Sequence, residues 1–183
     1  MSTVKKICIC SFCAAMCYVL PLIFHALALG WTFSPMHLPV LLCGLICGWQ
    51  YGGVVGFVLP LFRSALFAAP APPMCYVMAF ELATYGAAVG FLYARSRWQC
   101  VVSLYRCLIA AMIAGRVVWA AARMVLLGVS SVPFTWEIFL SGALITAVPG
   151  IVLQLIVIPA VMVALNRTGL VPFRKERGQA ACR

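Results

Sequence analysis

The sequence predicts an all-α membrane protein of six transmembrane helices, with the N and C termini both cytoplasmic. Three observations predict it. Hydrophobic residues make up 66% of the 183 positions and charged residues 9%, against about a quarter charged in a soluble domain. Apolar runs long enough to span a bilayer recur from one end of the chain to the other. The basic residues flank those runs, as the positive-inside rule requires.

Composition also excludes function classes. The acids are Glu81, Glu137 and Glu176 alone, with no aspartate, which leaves no material for glycosidase dyads, two-metal carboxylate clusters or aspartyl proteases. The net charge of +10 does not point to nucleic acid. Lys5, Lys6, Arg95, Arg97, Arg106, Arg167, Arg174, Lys175 and Arg177 border apolar runs and mark topology instead of forming a basic patch. Of the ten cysteines, only Cys10 and Cys13 have CxxC spacing, with no second pair and no histidine nearby. They read as small apolar packing residues, with no metal and no cofactor.

Taken in order, the first span is 7–29, preceded by Lys5 and Lys6. It exceeds the about 7–15 residues of a signal-peptide core and reads as a retained helix. The apolar run 38–69 crosses either once or twice. Gly48, Gln50, Gly52 and Gly53 interrupt it, and Trp49 and Tyr51 bracket the glutamine, as in a tight turn at the membrane surface.

Charge decides for two crossings turning at Trp49-Gln50-Tyr51. Six spans put Lys5, Lys6, the Arg95/Arg97/Arg106 loop and the tail on one side, and the loops 30–36, 69–73 and 129–136, which carry no basic residue, on the other. Five spans would scatter the basic residues. The Pro-rich break at 69–73 precedes the fourth span, 107–128 supplies the fifth, and 137–165, with Pro149 and Pro159, supplies a sixth able to tilt or kink. Residues 1–183 form a single transmembrane domain without internal repeats, and 166–183 is a basic cytoplasmic tail.

Ionisable residues inside a membrane are costly and usually functional. His37 falls at the outer end of the second helix, Arg63 toward that of the third, and Glu81 about 10 Å below that of the fourth. Arg116 and Arg123 fall in the middle-to-outer part of the fifth, and Glu137 opens the sixth. All occupy the outer half. Arg116, Trp119 and Arg123 share one helical stripe, and Glu81, Thr84 and Tyr85 another. Charges placed among aromatic groups are how small-molecule pockets are built.

The plainer reading has Glu81 pairing with Arg63 or Arg116 only to fix helix register, Arg123 and Glu137 snorkelling outward, and His37 bonding backbone. Trp31, Trp119 and Trp136 would then be an ordinary aromatic belt. The asymmetry favours a site, since the inner half has only Gln154 to set against this group. In the first helix, Cys10/Ala14 and Ser11/Ala15 are small-xxx-small pairs suited to close contact with a partner helix.

These features are shared with a family. Size, six spans, the run Ser34-Pro35-Met36-His37-Leu38-Pro39-Val40-Leu41-Leu42-Cys43-Gly44-Leu45-Ile46-Cys47-Gly48, and Met78-Ala79-Phe80-Glu81-Leu82-Ala83-Thr84-Tyr85-Gly86 resemble a substrate-binding (S) component of the energy-coupling factor (ECF) transporters for vitamins and related micronutrients. The resemblance implies a prokaryotic cytoplasmic-membrane protein that binds substrate from outside, in a pocket lined by the outer helix ends and the loop at about 28–36. It implies docking onto a transmembrane coupling protein driven by two ATPase subunits, through small residues at four-residue spacing in the first helix, here Ser11/Ala15 and Cys10/Ala14. The chain has no GxxxxGK[ST] run, so ATP would be hydrolysed on partner subunits and the chain itself is no enzyme.

Three arginines and a histidine against two glutamates favour an anionic or zwitterionic vitamin-like substrate, or a neutral heteroaromatic stacked on Trp119 or Tyr85. A stand-alone secondary transporter would need an ionisable relay reaching the inner half. An intramembrane enzyme would need a nucleophile–base pair. A ligand-free scaffold would use Arg63, Glu81 and Arg116 as structural pairs only.

Overall fold

The computed structural model describes residues 3–26, 36–68, 70–96, 100–129 and 148–167. Among them are six helices: α1 (Thr3–Ala26), α2 (His37–Cys47), α3 (Trp49–Phe67), α4 (Met74–Arg95), α5 (Val101–Val129) and α6 (Val148–Arg167). Residues 27–35 and 130–147, with Trp31, Trp136 and Glu137, lie outside the described residues, as do those beyond 167.

The run 38–69 is two helices, as charge placement required, but the break comes before the predicted turn. Gly48 has φ 102° and ψ 170°, a backbone state that a side chain disfavours, and Trp49 already opens α3. The Gly48 N–H donates to the Gly44 carbonyl at 3.1 Å and the Gly52 N–H to the Gly48 carbonyl at 3.0 Å, so hydrogen bonding continues through the corner. Pro39 does not disrupt α2. It falls in the first turn, where a backbone N–H has no intrahelical acceptor.

Contacts fix the helix directions. Cys47 meets the Lys6 carbonyl, Cys10 meets Cys43, and Cys17 meets the Met36 carbonyl, so α1 and α2 run antiparallel. Close approaches of Gly56 to Leu82, Gly52 to Gly86 and Gly90 to Trp49 make α3 antiparallel to α4. α4 packs on α2, α3 and α5, while α6 lies against α2 and α5. The start of α1, the α2–α3 corner and the end of α4 therefore share one end of the bundle, the corner end. The starts of α2 and α4 share the other.

Five glycines make the centre. A Cβ on Gly86 would collide with the Gly52 carbonyl, one on Gly90 would stand 2.6 Å from the Gly44 carbonyl oxygen, and one on Gly52 would stand 2.5 Å from the Gly44 Cα. With Gly56 against Leu82, three backbones meet where side chains would hold them apart. In lipid, apolar burial drives no helix association, so this close packing is the main cohesive force available. Leu41, Leu82, Leu104, Leu108 and Ile158 fill the interior. Val54, Phe62, Ile113, Val117 and Ile156 are exposed, the apolar surface a lipid-embedded bundle needs.

Among the described residues, four stretches are long and apolar enough to cross a membrane: Thr3–Ile23, Met74–Arg95, Val101–Leu126 and Gly150–Arg167. α3, at 19 residues, has the length but carries Gln50 and Arg63. α2 has 11 residues, about 16 Å of helix, roughly half the bilayer core. Its first residue is His37, at the helix end where the sequence placed it.

Candidate functional site

Glu81 is two turns into α4 and buried, with 3% of its surface exposed. A lone carboxylate there would be prohibitive unless compensated, and three helices supply the compensation. The Tyr85 hydroxyl, one turn further along α4, donates to Glu81 Oε1 at 3.2 Å. His37 Nε2, from the start of α2, stands 3.7 Å from the same oxygen, and Arg116 Nη1, from the middle of α5, stands 3.4 Å from it. Counted along their helices from the corner end, His37, Glu81 and Arg116 sit at about 15, 21 and 22 Å, so the agreement in depth is built into the helix lengths.

The rings around Glu81 are packed in place. His37 meets Tyr85 edge-on with centroids 5.2 Å apart. The Tyr85 ring fits only because residue 115 is glycine: a Cβ there would lie 2.6 Å from a ring carbon. Trp119, one turn beyond Arg116, is buried, and the Arg123 guanidinium carbon lies 5.1 Å from its ring centroid. Arg116 differs from its partners. Its side chain keeps 25% of its surface exposed, and its Nε is buried with no hydrogen-bond partner among the described residues.

Of the residues singled out from sequence, His37, Glu81, Tyr85 and Arg116 come together directly, with Trp119 and Arg123 adjoining through α5. Arg63 is buried in α3 but belongs to neither ion pair of Glu81. Its electrostatic neighbours are Tyr18 and Cys17 on α1, so of the two partners the sequence left open for Glu81, Arg63 or Arg116, the structure pairs it with Arg116. Thr84 leaves the Glu81 stripe: its hydroxyl donates to the Phe80 carbonyl at 2.8 Å, and it lines an outward groove between α3 and α4. Glu137 lies outside the described residues. Trp119 and Tyr85 are both buried, Trp119 covered by Arg123 and Tyr85 flanked by His37 and Gly115, so neither presents the open ring face expected for stacking.

Sequence reading missed Gly115 and Tyr18. Gly115 precedes Arg116 directly, the one available hint. Tyr18, beside Arg63, gave none. In α1 the structure divides the two small-residue pairs. Cys10 and Ala14 pack toward α2, whereas Ser11 and Ala15 are exposed. Among the described residues, one groove of about 720 Å³ lies between α3 and α4 and another of about 650 Å³ among α1, α2 and α6. Both are apolar, and Glu81 lines neither.

The all-helical fold with its membrane-length apolar helices, and a buried polar group held between three of them, define a multi-pass membrane protein with a candidate small-ligand site. The family model for the substrate-specific component of ECF transporters matches residues 5–162, and the chain belongs to that family. Its members are substrate-binding subunits of transporters, not enzymes, and associate with an ECF module. No curated protein and no solved structure matches the chain.

Proposed function

We propose that the chain captures a small anionic or zwitterionic vitamin or vitamin precursor at the His37–Glu81–Tyr85–Arg116 group and delivers it by ATP-driven uptake. The observation that carries this reading is Arg116: charged, part-exposed, 3.4 Å from its carboxylate and with a buried Nε lacking a described partner. An incoming carboxylate or phosphate takes the guanidinium in a bidentate fork. Glu81 then keeps the hydrogen bond from the Tyr85 hydroxyl, with His37 Nε2 3.7 Å from the same oxygen. Arg123, stacked on Trp119 one turn beyond Arg116, adds positive charge beside the group. The excess of arginine over glutamate attracts an anion and disfavours a bare cation.

In this reading the chain crosses the cytoplasmic membrane of a prokaryote six times. Lys5, Lys6, Arg95 and Arg167 face the cytosol and the ligand group faces out. The helix directions support that arrangement. The partners are a transmembrane coupling protein and two ATPase subunits, and the exposed Ser11/Ala15 pair on α1 is the docking face.

The test is uptake of radiolabelled vitamins of differing charge by cells expressing the chain with a coupling module. Uptake of an anionic or zwitterionic vitamin, reduced about thirtyfold or more by Arg116→Ala, is the expected result. Transport of only a cationic vitamin overturns the charge argument. A ligand-free scaffold predicts instead that Arg116→Ala lowers stability with no substrate to lose.

A further inference from the structure

We propose that Cys10, Cys43 and Cys47 form a thiolate site for one thiophilic divalent ion of the Zn(II) class, at the corner end of the bundle and separate from the Glu81 group. The sequence shows one CxxC pair and no second one. Antiparallel packing of α1 on α2 supplies what the sequence concealed, because it sets Cys10 opposite Cys43 and Cys47, which stand one turn apart on the same face of α2.

The three sulfurs all lie within 4.8 Å of one another, and Cys10 Sγ and Cys43 Sγ are 3.5 Å apart. A tetrahedral zinc with sulfurs at about 2.3 Å spaces them about 3.8 Å apart. Cysteine has a single side-chain torsion, so small rotamer adjustments close the remaining gap without moving backbone. Cys13, one turn from Cys10 on α1, is buried in the same cluster as Cys43 and Cys47. It can serve as a fourth donor, or as the outer contact that orients one.

The ligand set selects the ion. Sulfur is the only donor type in the cluster, and the residues packed around it are Ile9, Ile46, Val55 and Tyr51, which suits a thiophilic metal and not Mg(II) or Ca(II). Charge selects its valence. Three thiolates with a divalent ion leave one negative charge, and one cation is at hand. Lys6 has its ammonium 5.5 Å from the centroid of Tyr51, a ring that packs on the cluster, and its carbonyl is met by the Cys47 thiol at 3.6 Å. A monovalent ion would leave two negative charges in an apolar setting. Each thiol that coordinates releases one proton to solvent, so binding weakens as pH falls.

The proposal is tested on the purified full-length chain in detergent. The chain is titrated with Cd(II), followed by thiolate-to-metal charge-transfer absorption, then with Zn(II) as competitor, with X-ray absorption of the zinc form. The expected result is one equivalent of either ion, three or four sulfurs at about 2.3 Å around zinc, and at least about a tenfold weaker site in Cys10→Ser, the half-buried rim ligand. Cys8→Ser, an exposed neighbour, leaves binding unchanged. Because Cys43 is fully buried, the proposal is judged on Cys10→Ser and Cys47→Ser samples that elute monodisperse. Binding unaffected by both, a zinc shell of oxygen and nitrogen, or a wild-type chain that takes Cu(I) but neither Cd(II) nor Zn(II) overturns it.

Discussion

The two ends of α2 set two kinds of chemistry about 9–15 Å apart on one short helix. At its start, His37 joins a charged group in which donors from three helices converge on a single oxygen of Glu81. At its finish, Cys43 and Cys47 meet Cys10 in a group made only of sulfur. The first is expensive to hold in a membrane and is stabilised by mutual compensation. The second is nearly apolar while protonated, and in the metal proposal it takes on charge when an ion binds. A buried charge announces itself residue by residue, whereas a thiol cluster exists only once helices are packed. Between them lies Gly44, against the backbones of α3 and α4, so both ends depend on the same close approach.

The largest expected effect removes both ends together. Gly86→Val drives a branched side chain into the Gly52 carbonyl. It should cost more than the about 1–3 kcal/mol of ordinary overpacking, seen as lost yield and a lower melting temperature in detergent. A variant that melts like the wild type would show that the glycine contact is not what joins the two ends.

A smaller effect separates them. Gly115→Ala displaces the Tyr85 ring and, through its hydroxyl, Glu81, but touches nothing near the cysteines. Ligand binding should weaken about tenfold, the equivalent of about 1.4 kcal/mol, while metal titration at the cysteines is unchanged. Equal loss at both ends would mean that the two groups are coupled through α4. The smallest effect sharpens the ligand end alone. Arg123→Ala removes a cation–π contact worth about 0.5–1 kcal/mol at a part-exposed site, which should lower the melting temperature slightly and reduce vitamin uptake by no more than about fivefold.

Much of this was legible in the sequence for physical reasons. Uncharged runs bounded by lysine and arginine can only be membrane helices, and the rarity of acids made Glu81 conspicuous. Convergence of His37, Glu81, Tyr85 and Arg116 followed from depth, which residue counting measures well. Rotation about each helix axis is what counting leaves open. Arg63 and Arg116 have similar depth, but Arg63 turns toward Tyr18 and Cys17 while Arg116 turns toward Glu81. Thr84 shares a nominal stripe with Glu81 yet faces the α3–α4 groove. The clustering of the cysteines was hidden for the same reason, since the CxxC test looks for a second pair in sequence and the residues that meet Cys10 here, Cys43 and Cys47, come from another helix at i, i+4 spacing. Gly48 was among the residues expected to interrupt the run, but its positive φ, which ends α2 one residue before the expected turn, is a backbone state the composition alone does not show.

The central claim is that Glu81 and Arg116 hold a ligand and not merely each other. It is tested most directly by native mass spectrometry of the purified chain and of Glu81→Gln, a substitution that keeps the shape of the side chain and removes its charge. The account predicts a small anionic or zwitterionic molecule retained by the wild type and lost from Glu81→Gln, with both proteins equally monodisperse. The same bound mass in both, or a Glu81→Gln chain that fails to fold while the wild type carries no ligand, would contradict it.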